Sequence, residues 1–206
     1  MAIMAKDKGG KDFKPVPQGT HVAVCNAVID CGIQPGGRFK PQRKVYLRFE
    51  VPAERVEFEK DGKHIEGPMQ IGKLYTLSLS EKSNLRRDLT AWRGKPFTAD
   101  ELAGFDVSKL LGVPCQITVA HDPKGDGSGS VYANIIAIMG MPKGMPKPKA
   151  ERPTMLYTPE EHDESVFDQL PEWLRKKIED RLDEEDVAEP ELATAREADF
   201  NDEIPF

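Results

Sequence analysis

The sequence predicts an all-β fold that contains one helical insert. Residues 43–51, RKVYLRFEV, have the period of a strand with one buried face. One face carries Val45, Leu47, Phe49 and Val51, and the other carries Lys44, Tyr46, Arg48 and Glu50. Residues 84–94 change to the helical period, because Leu85, Leu89 and Trp92 fall at i, i+4 and i+7. Strand-like segments lie before and after this helix, so the helix interrupts a series of strands.

Three strands are predicted before the helix. A β-branched run over residues 20–33 forms the first strand, residues 43–51 the second and residues 73–80 the third. The loop 34–42 separates the first two, because its prolines and glycines leave no periodicity. A turn at Asp61-Gly62 lies between short extended pieces ahead of the third strand.

The helical insert carries its own end signals. Ser83 is a plausible N-cap for the first helix, and Gly94 is suited to the position just past its end. Thr98 and Glu101 have the spacing of a capping box, which predicts a second short helix. Residues 106–112 predict a further helical turn.

Two more strands follow the insert, over residues 114–121 and 130–140, and the glycine-rich loop 122–129 joins them. Five strands with a helical segment between the third and the fourth is the order of the OB-fold, a small, partly open barrel that binds oligonucleotides on one face. The sequence therefore predicts an OB-fold five-stranded barrel over residues 20–141.

The segments outside this barrel differ in composition. Leu174, Ile178 and Leu182 form a narrow apolar stripe on a predicted C-terminal helix. Trp173 lies beside this stripe, and the helix either packs on the barrel or presents a site for a partner or a second copy. The segments are a flexible arm at 1–19, a Pro/Lys linker at 142–170, an amphipathic helix at 171–187 and a disordered acidic tail at 188–206. The stretch MPKGMPKPKAERP at the start of the linker is not expected to join a sheet.

The composition argues against several classes of protein. The 206 residues contain no run of about 18 apolar side chains and begin with no secretory signal, which favours a cytoplasmic protein without a membrane partner. The three cysteines are an odd number, and the four histidines are scattered without the spacing of metal ligands. No nucleophile–base pair, phosphate loop or dinucleotide fingerprint is present. We therefore expect no catalytic residues, no metal and no cofactor.

The charge is divided unequally along the chain. Residues 159–206 hold eighteen acidic against five basic side chains, a net charge of −13. The other 158 residues hold seventeen acidic against twenty-four basic side chains, a net charge of +7. A basic body with an acidic tail indicates a polyanionic partner, with a tail that competes for the same surface, although a tail that only aids solubility has the same composition.

Cationic and aromatic side chains meet on the polar face of the second predicted strand. Lys44, Tyr46 and Arg48 project from this face about 7 Å apart. Cations that track phosphates and rings that stack on bases bind single strands without sequence preference. The alternative for Tyr46 is an ordinary exposed cross-strand residue. The candidate single-stranded DNA-binding residues are Arg38, Phe39, Lys40, Arg43, Lys44, Tyr46, Arg48, Arg86, Arg87, Arg93 and Tyr132.

The last eight residues, DFNDEIPF, place acidic side chains before an apolar C-terminal Ile-Pro-Phe. They closely resemble the C-terminal tip of the bacterial single-stranded DNA-binding (SSB) proteins. Asn201 stands where that pattern more often has an acid, and Glu203 where it often has aspartate. The resemblance implies a tip that docks on replication and repair enzymes, formed by Asp199, Asp202, Glu203, Ile204, Pro205 and Phe206.

The body resembles a different group. The stretches RKVYLRFEV, SEKSNLRRDLTAWRGKPFTADELAGFDVSKLLG and LPEWLRKKIE are similar to small phage-encoded single-stranded DNA-binding proteins, over about residues 15–185. This resemblance implies an OB-fold and a role in phage DNA replication or recombination, in the cytoplasm of a bacterial host. It does not identify the residues that contact DNA.

These observations predict a non-enzymatic protein, a monomer or small homo-oligomer, that coats and protects single-stranded DNA. Its tip would recruit host or phage replication and repair proteins. One alternative is a phage recombination annealing protein, which also pairs strands. Another is an adaptor or inhibitor that captures host enzymes through the tip without binding DNA. A nuclease with an unrecognised site is the third.

Overall fold

A computed structural model describes residues 14–37, 40–60, 63–127, 129–183 and 187. In this part of the chain no helix is long and apolar enough to cross a membrane. The described residues form six strands, four helices and a 3-10 turn at Val107–Leu110. The elements are β1 (Gly19–Gln34), β2 (Gln42–Lys60), β3 (Lys63–Thr76), α1 (Asn84–Arg93), α2 (Ala99–Ala103), β4 (Pro114–Pro123), β5 (Val131–Met139), β6 (Met155–Tyr157), α3 (Glu164–Phe167) and α4 (Glu172–Glu179).

The strands form one sheet in the order β3-β2-β1-β4-β5, and every neighbouring pair along this path is antiparallel. The outer strands β3 and β5 also contact each other, so the sheet curves round until its two ends meet. The helical insert lies between β3 and β4. The prediction of a mainly β fold with one helical insert is therefore confirmed.

The third strand lies earlier in the chain than predicted. It occupies Lys63–Thr76 instead of residues 73–80, and it forms a long hairpin with β2 in which Lys60 pairs with Lys63. The predicted Asp61-Gly62 turn falls outside the described residues. After Thr76 the Leu77 N–H makes one more hydrogen bond to β2, at the Arg43 carbonyl oxygen, and the Ser78 N–H donates to the Thr76 carbonyl oxygen over 2.9 Å in a tight turn.

The main core lies on the concave face of the sheet. The apolar residues of the alternating strand, Val45, Leu47, Phe49 and Val51, are all buried there, as the alternation predicts. α1 closes this core with the stripe that the sequence indicated, and the centroid of the Trp92 ring lies 5.6 Å from that of Phe49. Local end signals explain where the helices begin and end. Ser83 accepts a hydrogen bond from the Arg86 N–H, Gly94 has a left-handed φ of 69°, and Thr98 and Glu101 form the predicted capping box.

The C-terminal segment builds a second core on the opposite face of the sheet. Ala27, Ile29 and Cys31 of β1 point away from the main core and pack against α4 and the residues before it. The members of this second cluster are Ala27, Ile29, Cys31, Tyr157, Leu170, Leu174 and Ile178, with Tyr46, Met155, Val166 and Phe167 packed at its border.

The prediction of a linker over all of 142–170 is wrong at Met155–Tyr157, although the stretch MPKGMPKPKAERP, which was expected to stay out of the sheet, forms no strand. Met155–Tyr157 form β6, which pairs in parallel with Ala27–Ile29 of β1. The physical reason is the length of β1: β4 pairs with β1 only as far as Val24, which leaves the next backbone groups without a strand on that side. The last proline before the pairing residues is Pro153, so nothing in β6 itself prevents a ladder.

The C-terminal helix is shorter than the predicted 171–187. α4 ends at Glu179, and Pro171 is its N-cap rather than its first helical residue. Leu174 and Ile178 are buried as the stripe predicts, and the helix packs on the sheet. Leu182 is not part of the helical stripe, because its N–H donates to the Ile33 carbonyl oxygen over 2.8 Å and joins it to β1.

Candidate nucleic-acid interface

Tyr46, the aromatic centre of the predicted surface, is packed instead of freely exposed. Its ring lies directly on the backbone of Gly72 in β3, where a Cβ would come within 2.1 Å of the ring. The ring of Trp173, from α4, meets it edge to face with centroids 5.2 Å apart. Burial raises the pKa of the Tyr46 hydroxyl. The C-terminal segment therefore covers part of the surface that the alternation predicted to be open.

Arg48 belongs to a polar network beneath the same segment. Its Nε donates to Asn26 Oδ1 over 3.0 Å, and Asn26 Nδ2 donates to Glu50 Oε2 over 3.3 Å. Burial lowers the pKa of the Arg48 guanidinium. Arg48 thus serves the packing of the sheet surface in this conformation.

Glu50 is a fully buried carboxylate that the sequence had placed on the solvent side of its strand. Its two oxygens accept the backbone N–H groups of Glu151 and Arg152 over 2.6 and 3.2 Å. The carboxylate fixes the chain just before β6. The strand alternation placed Glu50 correctly on the outer face, and only the return of the chain from residue 140 onward buries that face.

Lys44 keeps an available positive charge. Its Nζ donates to Thr76 Oγ1 over 2.6 Å and to Gln42 Oε1 over 3.1 Å, and both acceptors are neutral. Lys40 is exposed in the preceding loop. Arg38 and Phe39, the other candidates of this loop, lie outside the described residues.

Arg43 is paired with two carboxylates. Its Nε donates to Asp30 Oδ2 over 2.8 Å, and Nη2 reaches Glu160 of the C-terminal segment. The hydrogen bond that Arg43 donates to Asp30 leads the effects that raise the pKa of Arg43. Glu160, which belongs to the region of net charge −13, therefore already forms an ion pair with Arg43, one of the predicted DNA-binding cations. The two side chains line a cavity of about 260 Å³, together with Gly32, Ile33, Pro159, Arg181, Leu182 and Asp183.

The arginines near α1 lie away from this surface. α1 packs into the main core, whereas Tyr46 borders the cluster on the opposite face of the sheet. Arg93 bonds to Glu101 and its guanidinium lies 4.3 Å from the Phe97 ring centroid, so it packs the insert. Arg87 is exposed and bonds to Asp88, and Arg86 donates to the Leu79 carbonyl oxygen.

Tyr132 stands on a separate surface. It is 56% exposed on β5, and Lys124 Nζ lies 5.3 Å from its ring centroid. This aromatic–cation pair has the chemistry of a stacking site, but it is not continuous with Tyr46 along the sheet path, since β2 and β5 are not neighbouring strands.

Trp173 is the surface aromatic residue that the candidate set omitted. It is 49% exposed, in contrast to Trp92, which is 6% exposed and donates its indole N–H to the Pro114 carbonyl oxygen. The sequence signal was present, since Trp173 lies beside the apolar stripe and not within it. The helix had no predicted position, so nothing linked Trp173 to Tyr46.

Metal-ligating residues and thiols of the described ranges are the remaining groups with reactive chemistry. No group of three or more histidine, cysteine, aspartate or glutamate side chains is arranged to hold a metal ion there. Burial raises the pKa of Cys25 and of Cys31 to about 12, so neither thiol is a nucleophile at neutral pH. The residues of the C-terminal tip lie outside the described part of the chain.

The chain matches no protein-family model and no curated protein.

Proposed function

We propose that the protein is an OB-fold protein that coats single-stranded DNA. The observation that carries the proposal is the strand path, in which β1 pairs with β2 and β4, the helical insert lies between β3 and β4, and β3 contacts β5. OB-folds bind oligonucleotides on the face of their second and third strands and between two flanking loops. The β2–β3 face carries Lys44 and Tyr46, and Lys40 lies in the β1–β2 loop.

Binding through this face is expected to be electrostatic and indifferent to sequence. Lysine ammonium groups neutralise phosphates and release counterions, so affinity falls as salt rises. Aromatic rings stack on any base, which gives affinity without base readout. Such binding would protect single strands in phage DNA replication and recombination from nucleases and from re-pairing.

The tail is proposed to recruit partners and to compete with DNA. Phe206 would enter an apolar pocket on a replication or repair enzyme, with its α-carboxylate paired to a cation at the rim, while Asp202 and Glu203 meet a basic surface. The contact of Glu160 with Arg43 supports competition, because it already places one C-terminal acid on a cation of the proposed binding surface.

The packing of residues 155–182 determines how this competition is tested. Truncation at residue 159 would remove α4 and three of the seven buried residues of the second core, so the informative truncation removes only residues 188–206. We expect the truncated protein to bind poly(dT) more tightly than the full chain at low salt. Equal affinities at every salt concentration would refute the competition.

One observation favours the adaptor or inhibitor instead. Trp173 of the C-terminal segment packs on Tyr46, and Arg48 is bonded to Asn26, so two residues that a DNA-binding face would use already have partners within the protein. Filter binding of labelled poly(dT) across a salt series separates the two functions. Filter retention of poly(dT) that weakens steadily as salt rises supports the coating function, and no retention in dilute buffer refutes it. Mixing complementary strands in the same assay distinguishes the annealing alternative, and metal-dependent loss of the DNA would identify a nuclease.

A further inference from the structure

The indole of Trp173 is held open to solvent by a helix that is itself firmly packed. Leu174 and Ile178 on α4 are each 1% exposed, whereas Trp173 next to them is 49% exposed. A side-chain hydrogen bond holds the helix to the strand, since Gln34 Nε2 of β1 donates to the Lys177 carbonyl oxygen over 2.8 Å. The Leu182 N–H donates to the Ile33 carbonyl oxygen of β1, which joins the residues after the helix to the sheet. The exposed ring is therefore presented by a fixed element.

Trp173 extends an apolar surface on the outer face of β2 and β3. Its ring contacts that of Tyr46, which packs against Gly72. Leu74 is the cross-strand partner of Tyr46, so it shares this face, and it is 38% exposed. We call Trp173, Tyr46 and Leu74 the Trp173 patch.

Positive charge surrounds the Trp173 patch. Lys176 and Lys177 follow Trp173 by three and four residues, which places them on the same side of α4. Neither lysine forms a salt bridge with a residue in the described ranges. Lys44 adds a third ammonium group, two residues from Tyr46 on the same face of β2. Flat apolar groups bordered by cations complement a chain of bases joined by phosphates.

We propose that Trp173 stacks on a base of bound single-stranded DNA, and that α4 is part of the DNA-binding surface. The inference rests on the proposed function. It resolves the covering of Tyr46: the helix does not block the β2–β3 face but supplies the aromatic ring for it, while Tyr46 supports that ring from below. Base stacking on an aromatic ring contributes about 1–3 kcal/mol, which corresponds to a factor of about 5 to 150 in affinity.

The two tryptophans of the chain make the test direct, because only Trp173 is exposed. The full-length protein is titrated with poly(dT) at low salt while tryptophan emission is recorded, alongside the variants Trp173→Phe and Trp92→Phe. We expect strong quenching in the wild type and in Trp92→Phe, where Trp173 is the remaining emitter. Emission of Trp173→Phe, which retains the buried Trp92, should change little.

Affinity is measured separately by the anisotropy of a labelled oligo(dT), which does not depend on tryptophan. Trp173→Ala should bind about 5- to 150-fold more weakly, and Trp173→Phe should keep most of the affinity because a phenyl ring also stacks. Ile136→Ala is the matched control, since Ile136 is 55% exposed on β5 and should leave affinity unchanged. Thermal unfolding of each variant verifies that the fold is retained.

The outcomes distinguish a failure of this inference from a failure of the proposed function. If the wild type fails to bind oligo(dT), the proposed function itself fails. If the wild type binds and Trp173→Ala binds equally well, the stacking role of Trp173 is overturned while DNA binding stands. A red shift of Trp173 emission without quenching also overturns it, because this shift would mean that DNA displaces α4 from the sheet.

Discussion

Replacing Glu50 with glutamine should loosen the attachment of the C-terminal segment. The carboxylate is completely buried and accepts hydrogen bonds from the backbone N–H groups of Glu151 and Arg152 and from Asn26 Nδ2. All three partners are donors. Glutamine keeps the size of the side chain but turns one acceptor oxygen into an NH₂ group, which would face a donor and leave it without a partner.

The magnitude follows from these contacts. A hydrogen bond to a charged group contributes about 1.5–3 kcal/mol, and the glutamine loses at least one of three while burying an unpaired donor. We expect Glu50→Gln to lower the free energy of unfolding by roughly 2–4 kcal/mol. The loss should be concentrated in the residues after 140, because two of the three bonds join the sheet to that segment.

Urea unfolding and limited trypsin digestion measure the two parts of this prediction. The exposed residues Lys143 and Lys149, neither of which precedes a proline, lie just before the anchored backbone, so trypsin should cut there faster in the variant. Glu57→Gln is the control: it makes the same chemical change at an exposed position of the same strand and should shift stability by less than about 0.5 kcal/mol. If both variants unfold and digest like the wild type, Glu50 is not an anchor and this reasoning is refuted.

Gly72→Ala should lower the free energy of unfolding by about 1–3 kcal/mol, because the new Cβ would lie 2.1 Å from the Tyr46 ring. Gly104→Ala, which has open space around it, should be nearly neutral, and equal urea midpoints for the two would contradict the packing. All three cysteines are buried, which raises the pKa of their thiols, so they should react with a disulfide reagent only after unfolding; rapid labelling of the native protein would disprove this. The hydrogen bond from the Thr98 N–H leads the effects that lower the pKa of Glu101. Its stabilisation is present above the ordinary carboxyl pKa of about 4.3 and is lost as the pH falls, so Glu101→Gln should flatten the acid side of the curve of melting temperature against pH.

Features set by neighbouring residues were predictable. The alternation in β2 assigned Val45, Leu47, Phe49 and Val51 to the core, and all four are buried. The spacing in α1 assigned Trp92 to the same core, and the helix ends follow the predicted caps. These signals are local, since a strand or a helix turn places each side chain by its position in the chain.

The candidate site was predictable only in part, because it depends on contacts between residues that lie far apart in the chain. The alternation identified which residues of β2 face outward, and Lys44 does present its charge there. Whether an outward-facing residue is exposed to solvent depends on whether a later segment of the chain packs over it. Tyr46, Arg48 and Glu50 share that face, and the segment that covers them begins about 100 residues later in the chain.

The sequence by itself determined the strand alternation, the position of the helical insert, the caps and the uneven charge, because each of these depends on the order of nearby residues. Only the tertiary structure decided that Met155–Tyr157 join the sheet, that Glu50 is an anchor and that Trp173 lies against Tyr46. The physical reason is that the free edge of β1 and the open face of β2 arise only when the strands assemble. A segment from far along the chain then pairs with that edge and buries that face, and no local pattern records such a partner.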